Sequence, residues 1–439
     1  MASFLRHKML VIGLLILGST VHSQQDVSTS HAPVIRLTAL GAIYPDESYA
    51  YGVNDWGDVV GTSSVWIEPG FLDFHGFLWR RETGMLDLVA RDLPMHFAFD
   101  VNFRRQIVGS GWGPALLWTP GGTTEPITPG SLLATPRAIN DLGQVVGTFF
   151  SSGGERAFSW SADTGFLDLG TLGGMSSRAF GVNNRGQVVG ETLTATHDRT
   201  AFLWTRETGM VDLGGESSSA HGINDRGEIV GTSAGRVALW NPQGVLIDLG
   251  GLQEFEWTAP GGIAMDINEL SQIVGTSAWH NGDRAFLWTP NAGMIDLISL
   301  GGDPPEAQAI RISNRGQVVG WSRSPSSPLP HPYMQAVLWE VLLTPAERLA
   351  SLRALLNELH LTDRLTAAHL NALTQKIDAA ERALARGNSR AVSAHARALA
   401  AQVKAFARAG VLTESESALL SDDALTLAEP AHESQDDRP

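Results

Sequence analysis

Cysteine is absent from the 439 residues, which removes disulfides, thiolate metal sites and a cysteine nucleophile together. It also removes the lipid-modified N-terminal cysteine that would tether a lipoprotein. Charged residues make up 18 % of the chain, below the quarter usual in soluble proteins. Positive charge is the scarcer kind: 31 Lys and Arg against 46 Asp and Glu, net −15. No run of Lys and Arg builds the basic face that nucleic acid requires. The signatures G-x-S-x-G, H-E-x-x-H and the P-loop are missing, and His75, His96, His197, His221, His280 and His331 show no metal-ligand spacing. One long apolar run exists, at residues 9–17, too short for a hydrocarbon layer of about 30 Å. With Arg6 and Lys8 before it and the small residues Val21 and Ser23 after it, the run predicts a signal peptide over 1–23. The mature chain is therefore expected to be secreted or periplasmic, a monomer with no membrane span, no cofactor and no metal.

What the chain does have is glycine, 47 in all, and a repeat. Residues 182–190 (VNNRGQVVG) recur at 223–231 and 312–320, with looser copies closing at Gly61, Gly109, Gly147 and Gly275. The period is roughly 43 residues. Each copy is followed by an A-F-L-W-like stretch ending in Trp79, Trp118, Trp160, Trp204, Trp240, Trp288 or Trp339, and then by G-M-x-D-L. The unit reads as four short strands, A to D, with N-x-x-G forming a tight A–B turn. Seven A-B-C sets are present, but only the first six have a following D strand. Residues 34–41 mirror 294–301 and supply the seventh from the N-terminus. The expected architecture is mainly β: a seven-bladed β-propeller over 34–341, closed by its own first strand, followed by a small α-helical bundle. A linear solenoid or an eight-bladed ring are the alternatives.

The pattern G-V-N-x-x-G-x-V-V-G, R-A-F-L-W, G-M-x-D-L-G-x-L-G-G resembles the HAF repeat of bacterial extracellular proteins and covers 34–339. Departures are Ser313 for Asn, Pro126 for the strand-D Asp, and Ala238 and Val337 for Phe. The resemblance implies export and a repeat scaffold, and implies no particular activity.

From Thr344 the composition turns to Ala, Leu, Arg and Glu. Thr344-Pro345-Ala346-Glu347 is a capping box with Pro at the first helical position. Further helices are expected over about 366–386 and 389–409, stopped by Gly387 and Gly410, and a short one after Thr413. The bundle is placed at 344–425 with a disordered tail at 426–439. It resembles the FIMAH-type helical domain found at the ends of secreted bacterial proteins.

The strand-C Trp residues recur in every unit and are assigned to packing between blades. Asn54, Asn102, Asn140, Asn183, Asn224 and Asn268 are assigned to turn hydrogen bonds. The N-D-x-G copies lack the further carboxylates of a calcium loop. Asp87, Asp168, Asp212, Asp248 and Asp296 are expected to protect outer strand edges. Of the six remaining Trp residues, Trp56 lies in an A–B turn. Trp66, Trp112, Trp279 and Trp321 follow strand B, and Trp257 lies between D and A, so five share the face of the B–C and D–A connections. With His280 and Tyr333 they form the candidate binding surface for a glycan or extracellular protein partner; loops of variable length such as 62–76 and 321–336 belong to the same face. Strand A is expected to line a central channel, with Asp100, Asp266, Arg311 and His221 as its polar candidates. The main reading is an exported non-catalytic binding scaffold. The alternatives are a hydrolase or lyase at the channel mouth and a structural envelope or matrix protein assembling through the helices.

Overall fold

The structure is a computed structural model that describes residues 33–428 apart from 45–46, 69–70, 123, 131, 253–260, 280–281, 302–303 and 326–332. The predicted signal peptide lies outside the described residues. The strands form seven four-stranded antiparallel sheets. Six are built from consecutive strands; in blade 1 these are Ser48–Val53, Val59–Glu68, Phe71–Arg80 and Gly84–Asp87. The seventh combines Ala307–Ile312, Gln317–Arg323 and Met334–Val341 with the N-terminal strand Ile35–Gly41. Ile35 pairs with Val341 and Leu37 with Trp339, so the first strand closes the ring as expected.

One irregularity recurs in strand A of all seven blades. Register slips by a residue between Ala50 and Gly52, Ala98 and Asp100, Pro136 and Ala138, Ala179 and Gly181, Ala220 and Gly222, Ala264 and Asp266, and Ala309 and Arg311. A bulge leaves an extra residue unpaired and re-aims its neighbours. It also swings a strand-A carbonyl over strand B. A Cβ on Gly61 would lie 2.0 Å from the Tyr49 oxygen, and one on Gly190 1.9 Å from the Arg178 oxygen. This close approach is why V-V-G ends in glycine in every copy.

The strand-C Phe side chains fill the room that glycine leaves; Phe77, Phe158, Phe202 and Phe286 are fully buried. The strand-C Trp rings pack between blades. Trp339 joins a core with Val274, Leu287 and Leu297 of blade 6 and donates through Nε1 to the Ile298 carbonyl at 2.6 Å. Trp240 donates in the same way to Leu213 at 3.1 Å.

Four helices follow: α1 (Pro345–Leu361), α2 (Ala367–Ala385), α3 (Ser389–Arg408) and α4 (Glu414–Thr426). Capping boxes at Thr344 with Glu347 and at Thr413 with Glu416 start α1 and α4. Leu427 and Ala428 remain buried in the helical core, so order runs past 426, where a disordered tail was expected to begin; residues 429–439 lie outside the description. The helices do not close a core of their own alone: Phe103 is buried among Leu352, Leu355 and Leu359, and Trp56 packs against the same cluster. No helix among the described residues is long and apolar enough to cross a membrane.

Candidate functional site

The A–B turns surround one end of the channel and are tied to each other by two rings of hydrogen bonds. In the first, each turn Asn uses Oδ1 to accept from its own turn, as Asn183 does from Arg185 and Gln187. Its Nδ2 then donates to the next blade: Asn54 to the Asn102 carbonyl, Asn102 to Asn140, Asn140 to Asn183, Asn183 to Asn224, Asn224 to Asn268 and Asn268 to Ser313, all at 2.9–3.1 Å. Ser313 keeps the bonds within its turn and is too short to extend the series to Asn54.

The second ring uses the residue after each Asn. The backbone N–H of Phe103 donates to Asp141 Oδ1, Asp141 to Asn184, Asn184 to Asp225, Asp225 to Glu269, Glu269 to Asn314 and Asn314 to Asp55, at 2.6–2.9 Å. Phe103 has no acceptor to complete it; there Trp56 Nε1 donates to the Phe103 carbonyl at 2.9 Å. The turn-hydrogen-bond reading of the Asn residues was therefore half of their work. The residues after them sit in sequence as Asp, Phe, Asp, Asn, Asp, Glu and Asn. That near-uniform run of acceptors is a signal that sequence reasoning passed over.

The helices cover this same face. Arg315 makes a two-point contact with Asp423 of α4 at 2.8 and 2.9 Å, Asn314 Nδ2 donates to Glu358 of α1 at 2.8 Å, and Gln272 Nε2 donates to Glu347 at 3.3 Å.

Inside the channel, Arg311 reaches across the axis. Its guanidinium lies 3.7 Å from Asp100 and 3.6 Å from Asp266 and donates to the Arg137 carbonyl at 3.0 Å. The bulges free backbone N–H groups for the same carboxylates: Ile139 donates to Asp100 and Ile312 to Asp266, each at 3.0 Å. Burial pushes Asp100 up to about 6 and also raises Asp266, while Arg311 pulls both back. His221 stacks on Phe180 at 4.9 Å; burial, then the Arg311, Arg199 and Arg137 charges, lower it to about 4. The structure thus brings Asp100, Asp266 and Arg311 together as a cross-channel tie.

On the opposite face Trp112 is 69 % and Trp66 54 % exposed. Trp112 meets Phe97 edge-on at 6.0 Å and His96 at 5.5 Å. Phe97 stacks on Phe99 at 6.1 Å, and Phe99 on Tyr51 at 5.9 Å. Phe99 and Tyr51 are bulge residues, so a file of rings runs from the rim at Trp112 to the channel. Arg137 lies over Phe99 at 5.4 Å. The Arg284 guanidinium lies 5.3 Å from the Trp279 ring centre. Trp321 is not in a loop: it is a strand residue, half-buried, with its edge on Tyr49 at 6.1 Å. Tyr333 takes a hydrogen bond from Gln335 at 3.2 Å. Residues 62–76, expected to be a variable loop, are mostly the extended B–C hairpin of blade 1, paired out to Trp66 and Leu72. Trp257 and His280 lie outside the described residues.

The strand-D acids pair within their own blades: Asp87 lies 2.8 Å from His75 Nδ1, Asp212 accepts from Thr200 at 2.5 Å, and Asp168 and Asp248 meet Arg156 and Arg236. Among the described residues no group of three His, Asp or Glu is arranged to hold a metal ion.

The protein is thus a seven-bladed propeller with a four-helix cap on its A–B face. The cap matches the model of the FIMAH domain over residues 349–429. No curated protein matches the chain. Among solved structures it is similar to the β-propeller domain of the Trilobed protease from Pyrococcus furiosus, at 8 % identity over 67 % of this chain and 94 % of that one, TM-score 0.46. A gluconolactonase from Xanthomonas campestris matches at 10 % identity over 70 % and 90 %, TM-score 0.37. An acylaminoacyl peptidase from Pyrococcus horikoshii matches at 9 % over 68 % and 52 %, TM-score 0.45. Their activities are properties of those proteins.

Proposed function

We propose that this protein is an exported, non-catalytic scaffold of the HAF-repeat kind that binds a glycan through its B–C and D–A face, with an extracellular protein surface as the second class of partner. The observation that carries the reading is the file of rings from the exposed Trp112 through Phe97 and Phe99 to Tyr51. Flat apolar faces beside polar edges suit the C–H faces and hydroxyls of sugars. The cap's occupation of the other face supports the assignment, because the aromatic rim is on the face it leaves bare. Export rests on the residues of the predicted signal peptide.

The hydrolytic reading would draw on Asp100, Asp266 and His221. Both carboxylates already hold Arg311 and a backbone N–H, and His221 has its proton affinity lowered, which suits a structural tie better than a general base near pH 7. The matrix-assembly reading needs a free helical surface, yet α1 and α4 spend part of theirs on the propeller.

The deciding experiment is a glycan array and surface-protein screen with the mature chain. Binding that is lost in Trp112→Ala and kept in Trp56→Phe supports the rim. Silence across the screen sinks it, and turnover of a glycan abolished by Asp266→Asn would replace it with the hydrolase.

A further inference from the structure

The bulge in strand A leaves one residue of each blade out of the ladder. Strand A runs from the D–A connection to the A–B turn, so the bulge residue lies one place nearer the aromatic face than Asp100, Asp266 and Arg311, whose tie crosses the channel beyond it. Five of the seven bulge positions hold Tyr51, Phe99, Arg137, Phe180 and His221; the other two are apolar. None of these side chains is fully buried, and Arg137 is exposed. Apolar walls round a few polar groups are the composition of a ligand site.

Three of those polar groups are uncommitted. The side chains of Tyr51, Arg137 and His221 make no hydrogen bond and no ion pair among the described residues; each rests on a ring instead. Tyr51 stacks on Phe99 at 5.9 Å, the Arg137 guanidinium lies 5.4 Å from the same ring centre, and His221 stacks on Phe180 at 4.9 Å. The acids nearby are already held. Arg178 pairs with Glu155 and Glu191, Arg199 lies 3.7 Å from Glu191, and Arg311 ties Asp100 to Asp266. Arg137 is thus the guanidinium of this group that contacts no carboxylate, and its side chain ties no part of the fold to another. An enclosed charge without a counter-charge is costly. Burial pushes the Tyr51 hydroxyl up to about 12, which keeps it an O–H donor at neutral pH.

We propose that the bulge ring recognises a carboxylate, so that the glycan taken by the aromatic face is an acidic one carrying uronic acid residues. This rests on the glycan reading and names its ligand class. A guanidinium offers a planar fork of N–H donors that matches the two oxygens of a carboxylate. Stacking on Phe99 uses the face of the guanidinium and leaves that fork for the ligand. The Tyr51 hydroxyl stands on the same ring as a further donor. The sugar rings then lie back along Phe97 toward Trp112, where the file of aromatics reaches the rim.

The test is isothermal titration of the mature chain at pH 7 with trigalacturonate and trimannuronate, against galactotriose and mannotriose as their neutral counterparts. One uronate should bind about tenfold or more tightly than its neutral counterpart, and Arg137→Gln should abolish that preference. Arg137 has no partner in the fold to lose, so Tm should not change. Tyr51→Phe should weaken uronate binding by a smaller factor. Equal affinity for acidic and neutral sugars, lost in Trp112→Ala and unchanged in Arg137→Gln, overturns the carboxylate assignment and leaves the glycan reading standing. No saturable binding of either uronate also overturns it, while the glycan reading falls only if the wider array is silent as well. Displacement of the uronate by sodium sulfate at equal concentration would reveal an unselective anion site and overturn the assignment to carboxylates.

Discussion

The two faces of the disc treat aromatic side chains in opposite ways. On the A–B face, Trp56 and Phe103 lie against the helices, their ring centres 5.1 Å apart, inside a core with Leu352, Leu355 and Leu359. On the other face, Trp66 and Trp112 stand in solvent. The A–B turns are short, alike and stitched to each other, which makes a flat platform on which a helical domain can settle. The B–C and D–A connections differ in length, and the hydrogen bonds that recur among them, such as Leu252 N–H to Ser277 Oγ and Leu300 N–H to Ser322 Oγ, tie a connection to a strand B. Regularity produced an internal interface; irregularity left an external one.

Four substitutions test that contrast, from the largest effect downward. Gly190→Ala should act on both faces by pushing against the Arg178 carbonyl, costing about 3 kcal/mol or more; urea denaturation would measure it, and a cost below about 1 kcal/mol would mean that the strand-A bulge yields easily. Trp56→Ala should loosen the capped face alone, by about 3 kcal/mol, with proteolysis within α1–α4 preceding any cut in the strands; simultaneous loss of both would show that cap and disc melt as one unit.

Glu358→Gln probes the joint through pH. Burial and neighbouring charge raise Glu358 and Asp55. Such acids support the folded state fully below the ordinary carboxylate range near pH 4, and that support is lost as pH rises through their raised folded values. The amide also donates to Asp55 at any pH, whereas Glu358 pairs with it only while one of the two acids holds a proton. The variant should therefore gain on the wild type, by about 1 kcal/mol, as pH goes from 4 to 8, read as the difference in Tm. A difference that shrinks over that range would contradict the pairing. Trp112→Ala should change stability by less than about 0.5 kcal/mol while removing ligand binding. A large stability loss would mean that the ring is structural and would erase the contrast between faces.

Much of the fold was legible because it repeats. Seven glycines, seven tryptophans and one displaced strand fixed blade number and closure, since each repeated residue answers a steric demand that recurs: glycine under the bulge carbonyl, Trp between sheets. The bulge itself was not visible, as a one-residue slip leaves the apolar alternation of so short a strand almost unchanged. Arg311, Asp100 and Asp266 were picked out as channel residues, but their mutual tie was not, because they come from blades 7, 2 and 6 and meet only across the axis. The docking of the cap was missed for a related reason. Phe103 carries no sequence signal of its own and Trp56 reads only as an A–B turn residue, whereas both belong to an apolar patch whose other half lies roughly 250 to 300 residues away in the chain. Asp55, Asp141 and Asp225, taken one turn at a time, lack the partners of a calcium loop; the hydrogen bonds that use them exist only in the ring.

The pairing of Ile35 with Val341 also orders events in time. A growing or translocating chain presents its first strand long before the one that will receive it, so six sheets can form while that edge waits unpaired. Assembly of the disc is then a late step, reached only when the last strands emerge, and the helices that begin four residues after Val341 follow almost at once. A nascent chain halted anywhere short of this point would carry an open edge of the kind that chaperones recognise and aggregates exploit.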